Sequence, residues 1–243
     1  MTTNKVTKKK SNLPSVDFGI PDNYDSGISQ EDVQIPSILM LQKMTELVEL
    51  EDRDWKPGQF YNMATDEVID SFNALIIKYF VTVRLFGDKD SQTGRADIER
   101  FSSDGIHWND TGDTISPSEF TYKENGKFAK KSFHYLALLK GEKLPVILTF
   151  KGASAKMAKK FNTHLIRLFP LWRSYFGFKA ISEESSGNKY FVLKAEPKPK
   201  KHCSQEEADL CRGFWDMSND SRISSNEMNE SDNDDNDDEE PVY

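Results

Sequence analysis

Four residues of this sequence are of types that could perform metal-assisted hydrolysis. Glu196 and Lys198 form the E-x-K pair that some nucleases carry, and Asp97 and Glu99 are further carboxylates for such a site. Together these groups would hold a divalent cation and activate a water molecule against a phosphodiester. Glu196 and Lys198 alternate with prolines, however, and Asp97 and Glu99 lie in a polar loop, where solvated surface is the simpler interpretation. A nuclease is therefore an alternative hypothesis and not the leading one.

Other catalytic and metal-binding patterns are missing from the sequence. It contains no GxxxxGK[ST], GxSxG, HExxH or CxxC motif. His202, Cys203 and Cys211 lack a fourth ligand at a spacing that suits zinc, and two cysteines are too few for a disulfide framework. We expect a protein that is not an enzyme and that has no cofactor and no metal site.

Basic and aromatic residues are interleaved in the C-terminal half. Between residues 121 and 203 there are 18 lysines and arginines against 5 aspartates and glutamates. A protein that binds single strands without strict sequence choice needs positive charge for the phosphates and flat side chains for the bases. The candidate ssDNA-binding residues are Lys78, Arg84, Tyr122, Lys127, Lys130, Lys131, Phe133, Tyr135, Lys151, Lys156, Lys159, Lys160, Trp172, Arg173 and Tyr175.

Strand periodicity ranks the aromatic candidates of residues 131–139. Side chains of a strand alternate between its two faces, and Leu136 and Leu138 suit the buried face. This assignment places Phe133 and Tyr135 outwards, where they can stack on bases. The opposite assignment, with Phe133 and Tyr135 in the core, remains open.

Negative charge is concentrated at the C-terminal end. Residues 221–243 carry nine aspartates and glutamates and one arginine, which equals the net charge of -8 of the whole chain. A tethered polyanion of this kind can compete with nucleic acid for a basic groove. The final Pro-Val-Tyr adds an apolar segment and an α-carboxylate that a basic-rimmed pocket can recognise. The candidate partner-binding residues are Asp237, Asp238, Glu239, Glu240, Pro241, Val242 and Tyr243.

This ending resembles those of bacterial and phage single-stranded DNA-binding proteins, whose acidic tails finish in Pro-Phe or in a lone aromatic residue; here the aromatic residue is Tyr243. Residues 34–69 (QIPSILMLQ … KPGQFYNMATDEVI) also resemble a pattern in phage proteins of this role. The resemblance implies an OB-fold and a role in DNA replication, recombination or repair. It also implies that replication proteins, such as a polymerase, helicase or primase, bind the tail.

Strands must position most of the candidate residues. Strand patterns occur over residues 72–86, 131–139, 145–150, 175–181 and 189–195. One helix is predicted from Ala153 to about Leu168, and another from Ser204 to about Trp215, with Ser204 and Glu207 as a capping box. These elements favour a mainly β fold with one or two helices, namely an OB-like five-stranded barrel with insertions.

The chain divides into four predicted regions. They are a flexible N-terminal arm (1–30), an OB-like ssDNA-binding core (31–200), a possible C-terminal helix (201–220) and a disordered acidic tail (221–243). The turn-rich stretch 87–128 is predicted to be an insertion in the core. No apolar run approaches the ~20 residues of a membrane span, and the N-terminus lacks the apolar stretch of a signal peptide. We therefore expect a cytoplasmic protein, located in the host cytoplasm if it is viral.

The leading hypothesis is a single-stranded DNA-binding protein that coats and protects strands, with a homodimer as one option for its assembly. A strand-annealing recombination protein, a metal-dependent nuclease and a structural phage protein are the alternatives.

Overall fold

The computed structural model describes residues 35–43, 45, 48, 54–89, 96–121, 128–185 and 187–220, all within one compact unit that begins at Gln34. The strands are β1 (Ser37–Met40), β2 (Phe60–Asn62), β3 (Glu67–Ile69), β4 (Ser71–Lys89), β5 (Ala96–Ser102), β6 (Ala129–Leu139), β7 (Pro145–Phe150), β8 (Ser174–Ser185), β9 (Asn188–Ala195) and β10 (Lys201–His202). The α-helices are α1 (Ala155–Leu165) and α2 (Gln205–Asp220). The predicted arm 1–30 and tail 221–243 lie outside the described residues.

The ten strands form one sheet in the order β10-β8-β4-β6-β7-β1-β2-β3, with β5 beside β4 and β9 beside β8. The described strand pairs are antiparallel except for β1 with β7. A mainly β fold with two helices is therefore confirmed for the described residues. The sheet has ten strands, however, and not the five of the predicted barrel. Strands β3 and β10 have only three and two residues, and β5 is mainly polar, so no periodic pattern predicts them.

Strand β4 pairs with three neighbours along its 19 residues. It pairs with β6 over most of its length, with β8 at its N-terminal end and with β5 at its C-terminal end. The register shifts between Ile76 and Lys78, as in a β-bulge. Ile77 and Lys78 consequently both contact the layer formed by α2.

The sheet curls, which brings β9 to the segment that follows β1. The side-chain amide of Gln42 donates a hydrogen bond to the carbonyl oxygen of Phe191 (2.8 Å) and accepts one from its backbone N–H (3.0 Å). Between these segments, the rings of Phe60 and Phe72 meet edge to face at 5.2 Å. The rings of Phe72 and Phe178 stack at 5.1 Å. Distant strands thus share one hydrophobic core, which we call the inner core.

Helices α1 and α2 cover opposite faces of the sheet. Helix α1 packs Phe161 and Leu165 into the inner core. Helix α2 places Cys211 in a second buried cluster, with Phe214 at its margin. Residues of β6 alternate between the two clusters, and residues 132–139 are all buried.

The prediction that Phe133 and Tyr135 face outwards is wrong. Their side chains are 5% and 0% exposed, and both belong to the inner core beneath α1. Leu136 and Leu138 are buried as predicted, but in the cluster beneath α2. Alternation identifies a buried face only when the other face meets water, and here a helix covers each face.

The predicted insertion 87–128 contains β5 and a 3-10 turn, Pro117–Phe120. Trp108, within it, is 1% exposed and packs with Val83, Ile115 and other residues in a third buried cluster. Trp108 and Ile115 therefore anchor this stretch to β4 and β6, although most of its described residues are exposed.

The helix boundaries differ from the prediction while the cap of α2 agrees with it. Helix α1 ends at Leu165, about three residues earlier than expected. The N–H of Glu207 donates to Oγ of Ser204 (3.2 Å), and the N–H of Ser204 donates to Oε2 of Glu207 (2.7 Å). This reciprocal pair is the predicted capping box, and α2 continues past Trp215 to Asp220.

Candidate nucleic-acid interface

The outward face of α1 carries exposed positive charge. Lys156, Lys159 and Lys160 are exposed, and Arg167 is exposed just beyond the helix. Residues three or four apart share one face of a helix, so the three lysines form a row on α1, and Arg167 follows them just beyond its end. We call these four cations the α1 stripe. Within the described part of the chain, no carboxylate forms an ion pair with any of the four.

The sequence around the α1 stripe contains no acidic residue. From Lys143 to Ser182 there are eight lysines and arginines and no aspartate or glutamate. Glu196, beyond this segment, instead pairs with Lys200 (3.1 Å) and Lys179 (3.9 Å). A positive surface of this kind attracts polyanions even though the chain as a whole is acidic.

A second group of predicted cations lies in the C-terminal half of β4 and at the start of β6. Arg84 is 5% exposed, and its guanidinium carbon lies 6.0 Å from the centre of the Phe101 ring. Nζ of Lys130 lies 5.4 Å from the Phe86 ring and 5.5 Å from the Phe128 ring. Cation–π contacts of this length hold both partners in place, which makes these cations part of the packing.

Lys131 lies on the opposite face of β6 from Lys130, since neighbouring strand residues alternate. Its Nζ is 5.1 Å from the Phe120 ring. We call Arg84, Lys130 and Lys131 the sheet-end cluster. The structure therefore divides the predicted basic groove between different surfaces.

Lys78 has a structural partner in α2. Its Nζ donates to the carbonyl oxygen of Ser218 (2.6 Å) and to Oδ1 of Asn219 (2.9 Å). A cation at the C-terminal end of a helix satisfies carbonyls that have no partner within the helix. Burial lowers the pKa of Lys78. The contacts with the end of α2 account for a lysine at position 78 without a phosphate ligand.

Tyr135 and Tyr175, two of the aromatic ssDNA-binding candidates, are buried inside the fold. The hydroxyl of Tyr135 donates to Oδ1 of Asn162 (2.6 Å), and burial raises the pKa of Tyr135 far above its usual range. Tyr175 is 3% exposed, and its hydroxyl donates to Oε1 of Glu207 (2.5 Å). Burial, followed by this contact with Glu207, raises the pKa of Tyr175. Neither ring is accessible to a base.

The remaining described candidates are more accessible. Trp172 is half-buried, with its ring centre 6.4 Å from that of Trp215. Arg173 is exposed, and Lys151 is half-buried. Tyr122, Lys127 and the tail residues 237–243 lie outside the described residues.

The residues of the nuclease alternative do not form one site. Oε2 of Glu196 lies beside Gly177, which pairs with Asn73 near the start of β4. Asp97 lies in β5, beside the far end of β4. A strand rises about 3.3 Å per residue, so the roughly 14 residues of β4 between these two positions extend over about 45 Å along the strand.

Cys203 and Cys211 are free thiols. Burial raises the pKa of Cys211 to about 12, so this thiol stays protonated at neutral pH. No group of three or more His, Cys, Asp or Glu in the described chain is arranged to hold a metal ion. The described helices are all too short or too polar to span a bilayer.

Sequence reasoning missed two exposed apolar residues beside the α1 stripe. Ile166 is 72% exposed and Phe169 is 79% exposed. Both lie beyond the observed end of α1, within or beside the predicted helix. The available signal was their position outside the apolar repeat of Phe161, Leu165 and Leu168.

A model of the family described as "Pam3 phage gp34-like protein" matches residues 8–210. No curated protein and no solved structure matches the chain. The family is named after a phage protein, which agrees with the resemblance of the tail to phage proteins. The name states no activity. Because the match spans 203 of the 243 residues, the chain belongs to the Pam3 phage gp34-like protein family.

Proposed function

We propose that this protein binds single-stranded DNA, with the α1 stripe as the phosphate-binding surface. The observation that carries the proposal is the row of exposed cations Lys156, Lys159, Lys160 and Arg167, none of which pairs with a carboxylate of the described chain. Phosphates would meet these cations without displacing an ion pair to any carboxylate of the described residues. Each cation neutralised on binding releases counterions from the DNA.

The wider role remains part of the proposal. The protein would coat and protect single strands in phage replication or recombination, and the acidic tail 221–243 would occupy the basic surface until DNA displaces it. The displaced Pro241-Val242-Tyr243 would then recruit a replication protein. The OB-like barrel also stays a proposal. The curl of the sheet, in which Gln42 is hydrogen-bonded to Phe191 of β9, supports it. The ten strands, however, exceed the five of an OB-fold.

Charge reversal of the stripe tests the proposal. We expect the double variant Lys159→Glu/Lys160→Glu to weaken binding to fluorescent oligo-dT by at least about tenfold at 50 mM salt. Each cation on a single strand contributes ~0.7 to the slope of log affinity against log salt, so four give a slope near -3 and the variant a clearly flatter one. Fluorescence anisotropy at several salt concentrations measures both quantities.

A matched control reverses two exposed cations on the opposite side of the sheet. Lys201 lies directly opposite Tyr175, which faces α2, and Arg212 is exposed on α2. The variant Lys201→Glu/Arg212→Glu has the same net charge as the stripe variant and should bind oligo-dT like the unaltered protein, apart from a small long-range effect. Equal losses in both doubles would show that only net charge matters. Unchanged affinity in the stripe variant would contradict the proposal.

A further inference from the structure

Phe169 is the most exposed large apolar side chain among the described residues, at 79%, and Ile166 follows at 72%. Exposure of two such side chains within four residues gives up the gain of burying them, and contiguous apolar surface commonly marks a binding site. The pair lies immediately after α1, at the end of the α1 stripe.

The exposure follows from how the chain leaves α1. Leu165 is 4% exposed, and Leu168 and Leu171 also pack against the inner core. These three leucines anchor the segment, while the residues between them, Ile166 and Phe169, are left pointing to solvent. The anchors hold the apolar pair in place without covering it.

The charged residues near this apolar pair in the sequence are all basic. Arg167 lies between Ile166 and Phe169, Lys160 precedes them, Arg173 follows them, and the acid-free segment extends to Ser182. An apolar tip beside cations that form no ion pair within the described part of the chain is complementary to a ligand that combines negative charge with flat apolar groups. A single strand, whose unstacked bases alternate with phosphates, is such a ligand.

We propose that Phe169, with Ile166 beside it, is the platform on which bases of single-stranded DNA stack while the α1 stripe holds the phosphates. This inference rests on the function proposed above and names the base-contacting residue of the same site. Phe169 thereby takes the role that the sequence pattern assigned to Phe133 and Tyr135, which the core uses.

An anionic membrane surface is the competing ligand, since basic helices with apolar side chains also bind lipid headgroups. Such helices insert an entire apolar face, however. The apolar face of α1, with Ala158, Phe161 and Leu165, is already buried in the protein. Only the two residues beyond the helix remain for insertion, which favours the nucleic acid.

The test compares Phe169→Ala with Phe169→Tyr in the full-length chain. We expect Phe169→Ala to weaken oligo-dT binding by about 5-fold to 150-fold, the equivalent of ~1–3 kcal/mol for loss of one base–aromatic stack. Phe169→Tyr, which keeps a flat ring, should retain binding. Binding to inorganic polyphosphate, a polyanion without bases, should be the same in both. Leu144→Ala, at an equally apolar position that is 63% exposed, is the control and should change none of these affinities.

An unchanged Tm of Phe169→Ala in thermal unfolding would confirm that the substitution affects affinity and not folding. If Phe169→Ala binds oligo-dT normally while Lys159→Glu/Lys160→Glu does not, the stacking inference is wrong and the proposed function stands. If neither variant changes oligo-dT binding, both are wrong. If Phe169→Ala loses only binding to phosphatidylserine vesicles, the site is a membrane contact and the inference is overturned.

Discussion

Strand β6 and helix α1 contain the same kinds of residues, and the fold uses them differently. In β6, Lys130 and Lys131 lie against aromatic rings, and Phe133 and Tyr135 are buried. In α1, the aromatic residue Phe161 is buried, while Lys156, Lys159 and Lys160 remain exposed. The physical difference is coverage: two helices cover β6, whereas α1 has one face on the core and one in water. Local charge therefore does not distinguish a cation that packs from one that is available to a ligand.

The largest expected difference is between a ring of β6 and the exposed ring that follows α1. Tyr135→Ala should lower the free energy of unfolding by about 3–5 kcal/mol, because it leaves a cavity beneath α1. Phe169→Ala, at an exposed position, should change it by less than ~0.5 kcal/mol. Urea denaturation of both variants measures the contrast. A loss below ~1 kcal/mol for Tyr135→Ala would mean that this ring is not a core residue.

Alkaline pH provides the next effect. Burial raises the pKa of Tyr135 above its ordinary value of 10.0, so the folded chain keeps a proton that the unfolded chain loses. The contribution of Tyr135 to the free energy of unfolding is complete below pH 10. Above pH 10 this contribution falls by up to ~1.4 kcal/mol per pH unit. Urea unfolding from pH 8 to 11 should show this decline. Tyr135→Phe should reduce the slope above pH 10, and identical slopes would contradict the assignment.

The smallest expected effects come from replacing one lysine in each region, Lys130 in β6 and Lys159 in α1, by methionine. Lys130→Met keeps the apolar stem and should cost ~0.5–1 kcal/mol of stability through the lost cation–π contacts, with no change in affinity for oligo-dT. Lys159→Met should leave stability within ~0.5 kcal/mol and reduce the salt slope by ~0.7. Anisotropy and denaturation on the same preparations measure the pair. Equal losses of affinity in the two variants would contradict the distinction between the α1 stripe and the sheet-end cluster.

The long elements were predictable because their signals are local. Residues 72–86 fall within β4 and residues 145–150 match β7, since runs of β-branched and aromatic residues favour extended backbone. The cap at Ser204 was predictable because its partner Glu207 is three residues away. Strand β5 (ADIERFS) was not, because its pairing with β4 depends on a distant segment and its own residues are mainly polar.

The candidate site was predictable only in part. The lysines of α1 were identified from their charge and their position off the apolar face of the helix. Phe169 was not identified, because its exposure depends on how Leu168 and Leu171 anchor to a core assembled from other strands. Lys78 was assigned to DNA, because nothing in residues 72–86 indicates that the end of α2 arrives beside it.

By itself, the sequence determined the β-rich composition, the positions of the long strands and of both helices, the cap of α2 and the separation of acidic and basic segments. Each of these depends on residues close together in the chain. The tertiary structure decided which face of each strand is buried and which cations are accessible. Both outcomes depend on where α1 and α2 pack, and those contacts join residues far apart in sequence, such as Tyr135 with Asn162 and Lys78 with Ser218.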